Sequence, residues 1–65
     1  MKLQLNGTQI TVQVTTLADL LATQGFRQSK VATAVNSRFI PATARAECML
    51  TDGDQIEVLA PMQGG

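Results

Sequence analysis

"MKLQLNGTQITVQV", residues 1–14, decides the fold more than any other stretch. Met1, Leu3 and Leu5 alternate with Lys2 and Gln4, the period of two that marks a half-buried strand. Asn6-Gly7 follows, a dipeptide that readily takes the positive φ angles of a tight hairpin turn. Ile10, Val12 and Val14 then alternate with Thr11 and Gln13, which predicts a second strand reaching Val14. The chain opens on a β-hairpin.

Outward from the hairpin, the period changes at "TTLADLLATQG", residues 15–25. Thr16 and Asp19 have the spacing of a capping box ahead of Leu17, Leu20 and Leu21, which share one helical face. Gly25 is placed to end the helix in a left-handed cap, so a short helix is expected from about Leu17 to Gln24. "KVATAVN" returns to strand spacing. Val31, Thr33 and Val35 lie on one side, with Ala32 and Ala34 opposite, where small residues would let the helix pack closely. Asn36-Ser37 turns the chain, and Phe39-Ile40 is expected to form a brief edge strand ended by Pro41. Residues 42–49 read as a loop with one turn of helix, and Asp52-Gly53 as a turn into a last strand carrying Ile56 and Val58 on one face. The order of elements predicts an α+β fold, with the helix across one face of a mixed sheet of four to five strands. Residues 1–59 are expected to form the domain and residues 60–65 a flexible C-terminal tail.

The totals bound what such a domain does. Sixty-five residues make one domain. At that size roughly 60% of the chain's surface is buried, so the core is small. Five Lys/Arg balance five Asp/Glu, and no basic run appears, which argues against a nucleic-acid partner. The apolar runs are too short to span a membrane, and the polar–apolar alternation of the start differs from a signal peptide. A single cysteine suits a reducing compartment, so the expected location is cytoplasmic.

Little here does chemistry unaided. There is no histidine, and Cys48 without a histidine partner fits no nucleophile–base pair. Cys48 reads as a small buried or half-buried apolar residue. Asp52 and Asp54 flank Gly53 and read as turn formers rather than a metal or acid–base pair. No metal site and no resident cofactor are expected, and the chain is not expected to be an enzyme.

What remains is the end of the chain, "PMQGG", residues 61–65. Read alone, Gly64-Gly65 fits terminal fraying or a cloning remnant. It also fits a thin string that passes a narrow channel, because glycine lacks a Cβ and allows close backbone approach. Six extended residues from Ala60 reach roughly 20 Å, so a domain docked outside an active site would place its tip within. Element order and the lack of other chemistry favour that reading. On the last strand, Ile56 and Val58 pointing inward send Glu57 and Leu59 outward. Leu59 and Met62 are therefore candidate anchors for a partner, joined by Phe39 from the neighbouring turn.

Taken together, "LQLNG", "TLADLL", "AVN" followed by "IP", "DGDQIEVL" and the terminal "GG" resemble the sulfur-carrier family of thiamine thiazole biosynthesis, the ThiS family. That family lies in the ubiquitin-like β-grasp superfamily. The pieces run through essentially the whole chain, with N-x-x-x-x-P (Asn36 to Pro41) and DGD-x-I (Asp52 to Ile56) as the most specific. The resemblance implies a β-grasp fold and a carrier cycle. An E1-like enzyme, using ATP and magnesium, would adenylate Gly65; a cysteine-desulfurase persulfide would supply sulfur for a thiocarboxylate; thiazole synthase would receive it. Gly64 and Met62 would serve tail recognition. Two positions depart from the family pattern: Ala42 stands where a basic residue is common, and Arg45 where a large apolar one is. Both lie in the loop before the last strand and bear on partner contacts more than on tail chemistry. The small subunit of molybdopterin synthase and the ubiquitin-like protein modifiers share the tail logic and remain alternatives.

Overall fold

Strand β1 (Lys2–Leu5) pairs antiparallel with β2 (Thr8–Thr11), leaving Asn6 and Gly7 as a two-residue loop in which both residues have positive φ, 50° and 83°. That is the geometry a tight hairpin needs if its strands are to keep their right-handed twist. The structure, a computed structural model, describes residues 1–60. The expectations placed on Met62, Gly64 and Gly65, and on the flexibility of the tail beyond Ala60, lie outside the described residues.

The second strand is shorter than expected. It ends at Thr11 rather than Val14, although Val12 still donates its amide to the Met1 carbonyl at 2.9 Å. Val12 and Val14 keep their alternation and pack against the core, so apolar spacing outlasts strand pairing here. Helix α1 (Leu17–Thr23) begins on a complete capping box: the Asp19 amide donates to Thr16 Oγ1 at 3.1 Å, and the Thr16 amide donates to the Asp19 carboxylate at 3.3 Å. It ends in a Schellman motif, with Gly25 at φ 80°, Gly25 N–H on the Ala22 carbonyl and Phe26 N–H on the Leu21 carbonyl.

After a 3-10 turn (Gln28–Lys30), β3 (Ala32–Val35) and β4 (Arg38–Ile40) form a second hairpin around Asn36-Ser37. A longer 3-10 segment, Ala42–Glu47, occupies the stretch expected to hold one helical turn within a loop. Strand β5 (Gln55–Leu59) then enters the middle of the sheet. The strand order is β2-β1-β5-β3-β4, with β5 parallel to β1 and antiparallel to β3. This five-stranded mixed sheet with one main helix is the ubiquitin-like β-grasp fold.

The core lies between sheet and helix: Leu3, Ile56 and Val58 from the strands, Leu17, Leu20 and Leu21 from α1, and Leu50 from the segment before β5. Each buried leucine contributes about 1.5–3 kcal/mol. One expectation about this interface is overturned. Ala32 and Ala34 do not face the helix. Thr33 is the buried residue of β3, and Val31 and Val35 pack on the core beside it, while Ala32 and Ala34 lie on the outer face. The larger side chains fill the interior, as packing density demands.

Candidate functional site

The last residues of β5 are held from both sides. Toward β3, Thr33 stands opposite Val58 and Ala32 opposite Leu59. Toward β1 the backbone ladder stops where the chain turns, with the Asn6 amide on the Ile56 carbonyl at 2.9 Å. There the Asn6 side chain takes over. Val58 N–H donates to Asn6 Oδ1 at 2.8 Å, and Asn6 Nδ2 donates to the Val58 carbonyl at 3.2 Å. Asn36, in the other hairpin turn, grips the strand's beginning: Gln55 N–H donates to Asn36 Oδ1 at 2.9 Å and Asn36 Nδ2 to the Asp54 carboxylate at 3.0 Å.

Alternation along β5 buries Ile56 and Val58 and sends Glu57 and Leu59 outward. Leu59 is 68% exposed and Phe39 67%. Phe39 belongs to the edge strand β4 rather than to a turn, opposite Ala34, whose other neighbour in register is Glu57. On β3 between them stand Ala34, opposite Phe39, and Ala32, opposite Leu59. The two side chains therefore rise around a notch of about 100 Å³ lined by Ala32, Thr33, Ala34, Phe39, Glu57 and Leu59. Of the residues singled out in the sequence, Phe39 and Leu59 thus meet at one feature.

Next to it, where β5 leaves the sheet, an open groove runs between Leu59 and Ala60 on one wall and Ser29, Lys30 and Val31 on the other. Its far wall is set by a residue whose role the sequence left open. Arg45, one of the two departures from the family pattern, is only 3% exposed. Its Nη1 donates to the Gln28 carbonyl, its Nη2 to the Val31 carbonyl at 2.6 Å, and its Nε to Thr33 Oγ1 at 3.0 Å. The guanidinium thus ties both ends of the first 3-10 turn to β3. The physical reason is reach: a long side chain carries its charged head to the Gln28 and Val31 carbonyls and the Thr33 hydroxyl, which take up its donors. The one signal in sequence was its occurrence at a position where an apolar residue is usual.

At the opposite end of the sheet, Asp54 closes the turn before β5. Burial alone would raise its pKa, but hydrogen bonds from the Thr51 amide, the Asn36 side chain and the Thr51 hydroxyl outweigh that and hold it below the ordinary value. Cys48, half-buried, has its thiol pKa raised by burial first and by the Asp54 charge second. Asp52 accepts the Lys2 amide at 2.6 Å, so both aspartates work as turn ligands for backbone and side-chain donors. Among the described residues no group of three or more His, Cys, Asp or Glu side chains gathers to hold a metal ion. No helix among them is long and apolar enough to cross a membrane. What the arrangement offers is a largely apolar notch beside a strand end that is hydrogen-bonded from both sides.

A family model described as the ThiS family matches residues 3–65. Two solved structures of a thiamine biosynthesis protein (ThiS) from Geobacter metallireducens are similar along the full chain. The crystal structure is 29% identical, with a TM-score of 0.85 and complete coverage of both chains. The NMR structure is 28% identical, with a TM-score of 0.82, covering all of this chain and 88% of the other. No curated protein matches.

Proposed function

The chain belongs to the ThiS family, and from that premise we propose that it is a sulfur carrier for thiazole formation in thiamine biosynthesis, with Gly65 as the carrying residue. The observation that carries this reading is the family match itself, which runs through the terminal Gly64-Gly65. The likeness to a thiamine biosynthesis protein favours the thiazole pathway over molybdopterin synthesis and over protein modification.

The chemistry belongs to the partners, and the domain is the handle. In an E1-like enzyme, with its ATP and magnesium, a carboxylate oxygen of Gly65 attacks the α-phosphorus and pyrophosphate leaves. Carboxylate is inert to sulfur nucleophiles at neutral pH, so this activation is obligatory. The outer sulfur of a persulfide, supplied by a cysteine desulfurase, attacks the acyl carbon and AMP leaves. A thiol then cleaves the acyl disulfide, releasing the thiocarboxylate and taking up the other sulfur as a disulfide. Thiazole synthase is the acceptor. Gly64 and Met62 thread the partner's channel, while Phe39 and Leu59 rest on its surface.

The test is to incubate the chain with its activating enzyme, ATP and a sulfur source and weigh it intact. The mass should rise by the difference between sulfur and oxygen, with the change confined to the last peptide. Label on Cys48 instead would overturn the reading.

A further inference from the structure

The side chain of Asn6 occupies a position where strand β1 would have continued. Had β1 run on beside β5, its backbone would have met the Val58 N–H and C=O. It turns back at Asn6 instead, and the Asn6 carboxamide, which carries one acceptor and one donor as a peptide group does, meets both. The same residue holds φ at 50° in the hairpin loop, a conformation asparagine tolerates better than most side chains. So one residue serves two separable purposes. It turns β1 and adds a rung to the β1–β5 ladder just before the chain leaves the sheet.

Among the described residues, that rung is the last hold on β5 from the β1 side. Without it, Val58 and Leu59 would be held, among the described residues, through β3 alone, where Ala32 pairs with Leu59. A strand end paired on one edge swings about that edge, whereas one paired on both keeps its direction. We propose that Asn6 is a positioning residue for the carrier tail: its amide clamp on Val58 fixes the direction in which Leu59 and Ala60 leave the domain, and so the point from which the tail sets out toward the activating enzyme. This rests on the carrier reading above. The domain docks through its outer face, and the clamp aims the tail.

The clamp and the turn separate by mutation. Asn6→Gly keeps the positive φ and removes the amide; Asn6→Asp keeps an acceptor for Val58 N–H but loses the donor to its carbonyl. The experiment measures amide exchange at Val58 and steady-state adenylation kinetics at a temperature well below melting. In Asn6→Gly, Val58 protection should fall about tenfold, the worth of one hydrogen bond. The kcat for adenylation should fall about tenfold with KM unchanged, because misaimed reactants lose effective concentration rather than affinity. Asn6→Asp should lie between, and it decides the matter if the glycine variant fails to fold. A merely structural role would lower the melting temperature and leave kcat of the folded protein alone. Unchanged Val58 protection, or unchanged kcat despite its loss, overturns the clamp. Failure of the wild-type chain to be adenylated at Gly65 would instead overturn the carrier reading.

Discussion

Arg45 and Thr33 meet inside the domain, with Arg45 Nε donating to Thr33 Oγ1 at 3.0 Å and the same hydroxyl donating onward to the Ile40 carbonyl at 2.8 Å. Both residues are buried, and the charged head is satisfied by neutral oxygens from the first 3-10 turn and β3. A desolvated charge is tolerable only where its donors are spoken for, and no buried side-chain polar atom among the described residues lacks a partner. The pair links β3, the edge strand β4 and both 3-10 segments through a single side chain.

Arg45→Ala should therefore cost more than an ordinary surface change. It strips the part-buried Gln28 and Val31 carbonyls of their side-chain donor, and each acceptor left unpaired costs about 1 kcal/mol or more. A total near 3 kcal/mol is a large share of what a domain this small has, roughly 3–10 kcal/mol. Urea unfolding should show a lower midpoint with an unchanged slope. Arg45→Lys should recover part of the loss, since one ammonium cannot reproduce the guanidinium fork. A midpoint shift within error would mean water replaces the guanidinium at no cost.

The two hairpins contain an internal control. Asn6-Gly7 and Asn36-Ser37 both have positive φ at each loop residue, yet the second position is glycine in one and serine, at φ 69°, in the other. A left-handed serine costs about 1 kcal/mol that glycine avoids, partly offset by glycine's greater freedom when unfolded. Ser37→Gly should stabilise the chain by up to about 0.5–1 kcal/mol, read as a rise in thermal midpoint. Gly7→Ser should do the reverse. Destabilisation by Ser37→Gly would mean that the serine side chain has a role its backbone angle does not show.

Asp54 predicts an acid-sensitive step. Its hydrogen bonds hold the folded pKa below the unfolded one, so the native state binds this proton less readily. The stability it confers is present above about pH 4 and drains away as pH falls through the lower folded value. Between about pH 6 and about pH 3 the urea midpoint of Asp54→Asn should decline less than that of wild type. The same variant should speed alkylation of Cys48 at mildly alkaline pH, because removing the Asp54 charge lets the thiol ionise more easily. Parallel acid profiles for the two proteins would rule out this contribution.

Local signals made most of the fold legible. Asn6-Gly7 between alternating apolars, and the Thr16–Asp19 box closed by Gly25, each specify their own geometry within a few residues. Two things were not local. Alternation divides β3 into Val31-Thr33-Val35 and Ala32-Ala34 but does not say which set faces the helix. That is decided by which side chains fill the interior, and small alanines leave it empty. The sequence marks Arg45 only as a charge where the resembled family often carries a large apolar residue, and leaves its contacts open. Its burial follows from Gln28, Val31 and Thr33 converging from 12 to 17 residues away. At the candidate site, Leu59 was legible from the phase of Ile56 and Val58. That Phe39 shares its notch required the register of β3 between them.

That notch makes the last prediction. Phe39 and Leu59 are exposed, so cutting either to alanine removes little buried area and should leave stability within about 0.5 kcal/mol. If they seat the activating enzyme, each truncation should cost over 1 kcal/mol of binding, about fivefold or more in KM for adenylation, with kcat retained. Gly65→Ala should do the opposite, slowing the step at saturating enzyme because a methyl group intrudes where the terminal residue approaches ATP. General greasiness, however, would also explain the alanine results, since any exposed apolar pair adds some affinity. Ala34→Leu separates the two. It adds apolar surface while filling the floor between Phe39 and Leu59. A shaped socket for a partner side chain would bind worse for it, and a merely sticky face would bind better. Titration calorimetry of the four proteins (wild type, Phe39→Ala, Leu59→Ala and Ala34→Leu) against the activating enzyme reads the sign directly, and tighter binding by Ala34→Leu would refute the socket.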